Sequence, residues 1–114
     1  MVPSSTGSVV LVPFPFSDLS QAKLRPAVVL ANASRGDWIL SQITSNPFGD
    51  THAIALDEAC FTTGSLRITS YARPGKLFTA NDTLIVGQVG ILKADPLQLI
   101  VERVVALLHQ SLNF

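Results

Sequence analysis

The stretch KLRPAVVLA, residues 23 to 31, sets two cations immediately ahead of a proline and a run of small apolar residues. Its β-branched content predicts a buried strand over RPAVVLAN, with the proline near the start, where a strand tolerates it. Working outward, GSVVLVPF (7–14) reads as a first strand and WILSQITS (38–45) as a third. Between first and second, PFPFSDLSQAK holds Pro15, Ser17, Asp18 and Ser20 and reads as an exposed loop; between second and third, ASRGD reads as a turn.

Further on, NPFGD makes another turn and THAIAL a short strand, while residues 60–64 read as irregular. LRITSYARPGKLFT suggests two extended pieces broken at Pro74-Gly75, and TLIVGQVGIL a last strand. A helix is predicted only at the C-terminus, with Asp95 as N-cap, Pro96 at N1 and Gln98 in the capping-box position. Its apolar face is Leu97, Ile100, Val101, Val104, Leu107 and Leu108, opposite Gln98, Glu102, His109 and Asn113. The expectation is one domain over 1–114, mainly β, a small barrel or curled sheet closed by one terminal helix.

Charged residues make up only 14% of the 114, against about 25% in ordinary globular domains, so large uncharged areas must reach the surface. An oligomer or an obligate partner is expected. Eight basic and eight acidic side chains cancel, so any anion must be drawn by a local cluster. A lone Cys60 with His52 and His109 is a poor set for structural zinc, and neither a metal nor a cofactor is expected. No apolar run approaches the roughly 18 residues of a membrane span. The first cation is Lys23 and Pro3, Pro13 and Pro15 interrupt the preceding segment, unlike a signal peptide, so a cytoplasmic location is expected.

A symmetric hairpin about Ser34 and Arg35 pairs residues whose numbers sum to 69, which sets Arg25 opposite Thr44. Directly opposed side chains have Cβ atoms about 4.5–5.5 Å apart. Arg25, Thr44, Lys23, Gln42 and Ser45 would then form a polar mouth suited to a phosphate, which a guanidinium fork and a hydroxyl both recognise. With RNA as substrate its own 2′-OH is the nucleophile, so the protein need only align the attack and stabilise the phosphorane. The plain alternative is that Arg25 flanks a strand as a surface charge and Thr44 is an ordinary strand residue.

Arg67, Arg73 and Lys76, interleaved with Tyr71 and Phe78, form either a single-stranded nucleic-acid platform or a solvated strand edge. His52 and Asp18 are general-base candidates, each with a simpler role beside a turn. GQVG (87–90) is neither a P-loop nor a dinucleotide fingerprint, and no Cys/His pair, nucleophile elbow or usefully spaced pair of carboxylates occurs.

Taken together, GSVVLVPF, KLRPAVVLA, SQITS and a helical C-terminus resemble the MazF/PemK (Kid) family of toxins from type II toxin–antitoxin systems. The likeness runs over nearly the whole chain in order; RPAVVLA followed by a strand ending in ITS is its most specific part. The resemblance implies an SH3-like barrel, a homodimer, and a metal-independent, sequence-selective endoribonuclease (an mRNA interferase) that cuts single-stranded RNA to 2′,3′-cyclic phosphate and 5′-hydroxyl ends. It also implies a cognate antitoxin whose extended acidic C-terminal tail covers the RNA groove. The family's arginine before proline falls on Arg25 and its threonine closing the third strand on Thr44; Arg67, Arg73 and Lys76 would grip RNA backbone or antitoxin. Two departures stand out: Gly7-Ser8 replaces the family's Gly-Asp, and Leu19-Ser20-Gln21 its Ser-Glu-Gln, which leaves the general base unassigned. The rivals are a gyrase poison resembling CcdB, whose Trp-Gly-Ile ending is replaced here by HQSLNF, and a non-catalytic small-barrel binding module.

Overall fold

The computed structural model describes residues 5–15 and 22–112. Seven strands form one antiparallel sheet: β1 (Ser8–Pro15), β2 (Ala22–Ser34), β3 (Asp37–Thr44), β4 (Ile54–Leu56), β5 (Phe61–Gly64), β6 (Ser70–Asn81) and β7 (Gly87–Leu92). They lie in the order β4-β6-β3-β2-β1-β7-β5. One helix, α1 (Ala94–Gln110), follows. The strands at the two ends of that order contribute to the same core: Ile54 and Leu56 of β4 and Phe61 of β5 pack with Val9, Val28, Ile43, Ala72, Leu92 and Ile100. The sheet is therefore curled into a half-barrel, and α1 plugs it through Ile100.

The unbroken runs VVLV and AVVL have a physical cause. Side chains alternate across a strand, and here both faces are covered. Val9 and Val28 face the barrel core, whereas Val10, Val12, Ala27, Val29, Leu40 and Ala80 form a second cluster behind it, bordered by Phe14, Trp38, Phe78 and Ile85. Phe14 meets Phe78 edge to face with centroids 4.7 Å apart.

The sum-69 register holds over three pairs, Ala27↔Gln42, Val28↔Ser41 and Val29↔Leu40, and stops short of Arg25 and Thr44, which are not paired. The turn, however, is Arg35-Gly36 rather than one centred on Ser34 and Arg35, since Ser34 pairs with Asp37. Two irregularities in β2, after Val29 and after Asn32, absorb the difference. Ser34, Arg35 and Gly36 all take positive φ (76°, 60° and 81°), as a tight hairpin turn demands.

Four local expectations need correction. Residues 60–64 are not irregular: a single 3-10 turn, Glu58–Cys60, leads into β5. Gly90 of β7 makes room for this strand, because a Cβ there would stand 2.7 Å from the Phe61 ring. LRITSYARPGKLFT is not broken at Pro74-Gly75; β6 runs through it, and the surplus residues form a bulge against β3 between the Leu77↔Ser41 and Ala72↔Ile43 pairs. The helix starts at Ala94 with Lys93 as N-cap, so Pro96 sits within the first turn, where no N–H is needed, and Gln98 bonds Glu102 (3.1 Å) instead of closing a capping box. Finally, Val101 and Leu108 face solvent and not the core; with Val105 and Leu112 they make an exposed apolar stripe.

Candidate functional site

Pro26 does not sit at the start of its strand. β2 begins four residues earlier, and Pro26 lies between β1 and β3. The Val29 carbonyl accepts from Gly7 N–H on the β1 side (2.8 Å), so by alternation the main-chain groups of Val28 and Pro26 point at β3. Proline has no N–H to offer there. The β2–β3 ladder accordingly ends at Ala27↔Gln42, one residue short of Pro26, and Thr44 pairs instead with Tyr71 of β6.

An open pocket of about 420 Å³ occupies the place where the ladder stops. Lys23, Arg25, Thr44 and Ser45 supply its polar wall, with Ser70 at the far side. Leu24 and Ile68, 50% and 61% exposed, form an apolar lip. The fold thus brings Arg25 and Thr44 to one cavity, along with Lys23 and Ser45. Gln42, half-buried opposite Ala27, is not part of its lining.

Thr44 is 6% exposed and its hydroxyl is engaged: Oγ1 donates to the Asn46 carbonyl (3.0 Å) and accepts from the Asn46 N–H (3.2 Å). A hydroxyl has one proton. Thr44 therefore holds the turn after β3 in this conformation and must rotate to donate elsewhere, whereas the exposed Ser45 has no such bond among the described residues.

Among the described residues no carboxylate or imidazole lines this pocket. His52 lies in the turn before β4, its N–H bonded to Asp50 Oδ1 (2.9 Å) and its carbonyl to Arg103 Nη1 (3.2 Å). Asp18 and Leu19-Ser20-Gln21 lie outside the described residues. Ser8 is fully buried and hydrogen-bonds Ser5, so that departure from Gly-Asp falls at the start of β1 and is not among the described lining of the pocket.

The three later cations are not brought together. Arg73 Nε pairs with Asp50 Oδ2 at 2.9 Å, the two side chains only 18% and 12% exposed. The Arg73 guanidinium, aided by the His52 N–H, holds the Asp50 carboxyl below its ordinary value of 3.8, against the upward pull of burial. Arg67 lines a different pocket, and Lys76 is exposed in the β6 bulge. Phe78 packs edge to face with Phe14, outside the lining of either cation-bearing pocket. Sequence reasoning missed Leu66, Ile68 and Ser70 as walls of the main pocket, because the β5–β6 connection folds over from the far edge of the sheet. Among the described residues no three metal-binding side chains converge, and no helix is long and apolar enough to cross a membrane.

No curated protein matches the chain. Solved structures do. A MazE–MazF complex from Deinococcus radiodurans superposes with a TM-score of 0.73 at 20% identity, covering 95% of this chain and 97% of that one. An endoribonuclease in complex with its cognate antitoxin, from a mycobacterial species, gives 0.69 at 15%, with 96% of each chain covered. The Mycobacterium tuberculosis toxin MazF-mt6 gives 0.65 at 15%, covering 90% and 96%. At these identities the likeness establishes the half-barrel fold. The family model described as PemK-like, MazF-like toxin of type II toxin–antitoxin systems matches residues 5–108, and the chain belongs to that family.

Proposed function

We propose that this toxin is a metal-independent endoribonuclease that cuts single-stranded RNA at the Arg25 pocket, leaving 2′,3′-cyclic phosphate and 5′-hydroxyl ends. The observation that carries this reading is the convergence of Lys23, Arg25, Thr44 and Ser45 on one open pocket where the β2–β3 ladder ends. Arg25 would meet the scissile phosphate with its donor fork and stabilise charge as the 2′-oxygen attacks and the 5′-oxygen leaves. Ser45 adds a hydroxyl donor, and Thr44 adds a second once it turns from Asn46. Lys23 lies on the path of the neighbouring phosphate.

The same reading extends to the partners. Solved relatives include MazE–MazF and endoribonuclease–antitoxin complexes; here too an antitoxin with an extended acidic tail would lie across Lys23 and Arg25. A second copy would cover the exposed stripe of α1, where Val101, Val105, Leu108 and Leu112 recur at the spacing of a helical seam. The proposed location is the cytoplasm, where RNA and antitoxin are met.

The test is cleavage of a long mixed-sequence RNA in EDTA by wild type, Arg25→Ala and Thr44→Ala, with the ends mapped. Cuts at a short motif with 5′-hydroxyl ends, lost in the folded Arg25→Ala protein, support the enzyme. The replacement of the family's two acids by Ser8 and Ser20 favours one second reading, a module that binds RNA without cutting it. RNA retained intact by antitoxin-free wild type at every protein concentration would establish that instead.

A further inference from the structure

Ile68 belongs to two pockets. On one side it lips the Arg25 site; on the other it borders a cavity of about 560 Å³ lined by Asp57, Glu58, Ala59, Arg67 and Thr69. The two form one continuous surface, and the second carries opposite charges that do not meet. No ion pair joins Arg67 to Asp57 or Glu58 within 4.0 Å among the described residues. Asp57 is the N-cap of the Glu58–Cys60 turn, yet its carboxylate makes no capping bond and receives only a long Sγ contact from Cys60 at 3.6 Å. Arg67 is held at φ 71°, a region that large side chains seldom occupy, with its N–H pinned to Ser65 Oγ at 2.8 Å. An exposed carboxylate, an exposed guanidinium and an apolar ridge thus surround a gap that neither charge closes.

We infer that this cavity is a guanine subsite, reading the RNA strand as it passes over Ile68 from the Arg25 pocket. The inference rests on the ribonuclease reading above. Single-stranded RNA presents splayed bases by their Watson–Crick and Hoogsteen edges. Guanine alone offers two adjacent donors, N1–H and N2–H, to one carboxylate, while its O6 and N7 accept the fork of an arginine. Adenine and cytosine each set a ring acceptor beside their amine, which would face the carboxylate with a lone pair. Uracil flanks its one N–H with carbonyls on both sides. Asp57 and Arg67, which line the same cavity, match the guanine pattern, and Ile68 supplies an apolar surface for its ring.

The experiment maps every cut made in a mixed-sequence RNA by wild type, Asp57→Asn and Arg67→Ala, then repeats the rates on short RNAs carrying guanine, inosine or adenine at the preferred position. Wild type should favour guanine at one fixed place beside the cut. Asp57→Asn should lose about tenfold of the preference for guanine over inosine, which lacks the 2-amino group, and Arg67→Ala should lose about tenfold of the preference for guanine over adenine, the rest being kept by Asp57. Cutting at non-guanine sites should survive in both variants, whereas Arg25→Ala abolishes cutting everywhere. No guanine preference in wild type, or one untouched in both variants, overturns the subsite and leaves the ribonuclease standing. If wild type cuts nothing, the ribonuclease reading fails, and binding of uncleavable 2′-O-methyl oligonucleotides decides the subsite. Guanine-over-inosine binding that requires Asp57 upholds it, and equal binding overturns it.

Discussion

At its turn the β2–β3 hairpin is tied shut. Asn81 Nδ2 donates to Asp37 (3.0 Å), Trp38 Nε1 to Asp82 (2.7 Å), and the Asp82 N–H to the Gly36 carbonyl (2.8 Å). At its other end the same hairpin is open: Pro26 withholds a donor from β3, the ladder stops, and Lys23, Arg25, Thr44 and Ser45 are left around a cavity. The closed end uses its charges to satisfy the fold. The open end gathers its charges at the pocket wall. Two arginines repeat the contrast, since Arg73 is pinned in its ion pair with Asp50 while Arg25 lines the pocket. Position on the sheet, and not residue type, separates the arginine paired with Asp50 from the arginine at the pocket.

The strongest way to break this contrast is Arg25→Ala. We expect RNA cleavage to fall about 100- to 1000-fold, the usual cost of a transition-state donor, in a protein that a urea titration shows to be still folded. A large loss of stability would place Arg25 among the structural charges instead. Thr44→Val comes next, because it removes both bonds to Asn46 in a buried setting and should cost about 1–2 kcal/mol. Thr44→Ser, which keeps the hydroxyl, should restore most of that stability and the cleavage rate with it.

Trp38→Phe probes the closed end. Losing the indole N–H should cost about 1 kcal/mol in the same titration while leaving RNA cleavage unchanged. The smallest effect concerns acid. The Asp50 carboxyl is held below its ordinary value, so its ion pair stabilises the fold fully above about pH 4. That contribution fades as the pH falls from there through the lower folded value. Asp50→Asn should therefore flatten the acid limb of stability below about pH 4, as thermal melts across that range would register.

The barrel was legible because its strongest signals are local. β-branched runs, a hairpin turn and a terminal amphipathic helix each follow from a few neighbouring side chains, and the pairing sum that sets Arg25 near Thr44 survives over Ala27–Val29. Misreadings fell where distant parts decide. Phe61–Gly64 has too few residues to announce a strand, and becomes one only because Gly90 lets it lie against β7. Pro74-Gly75 looks like a break, but pairing with β3 and β4 on either side carries β6 through it as a bulge. Arg73 gave no sign of its partner, since Asp50 lies 23 residues away.

By itself the sequence determined the mainly β class, the terminal helix, the family, and the strand that carries Lys23 and Arg25. Each of these depends on patterns within one element or on a short ordered set of them. Only the tertiary structure decided that Pro26 ends a ladder, that Thr44 spends its proton on Asn46, and that residues 57–69 fold back to give the Arg25 pocket a neighbour. Those facts depend on which strand lies beside which, and a main-chain group's partner is fixed by the curled sheet as a whole.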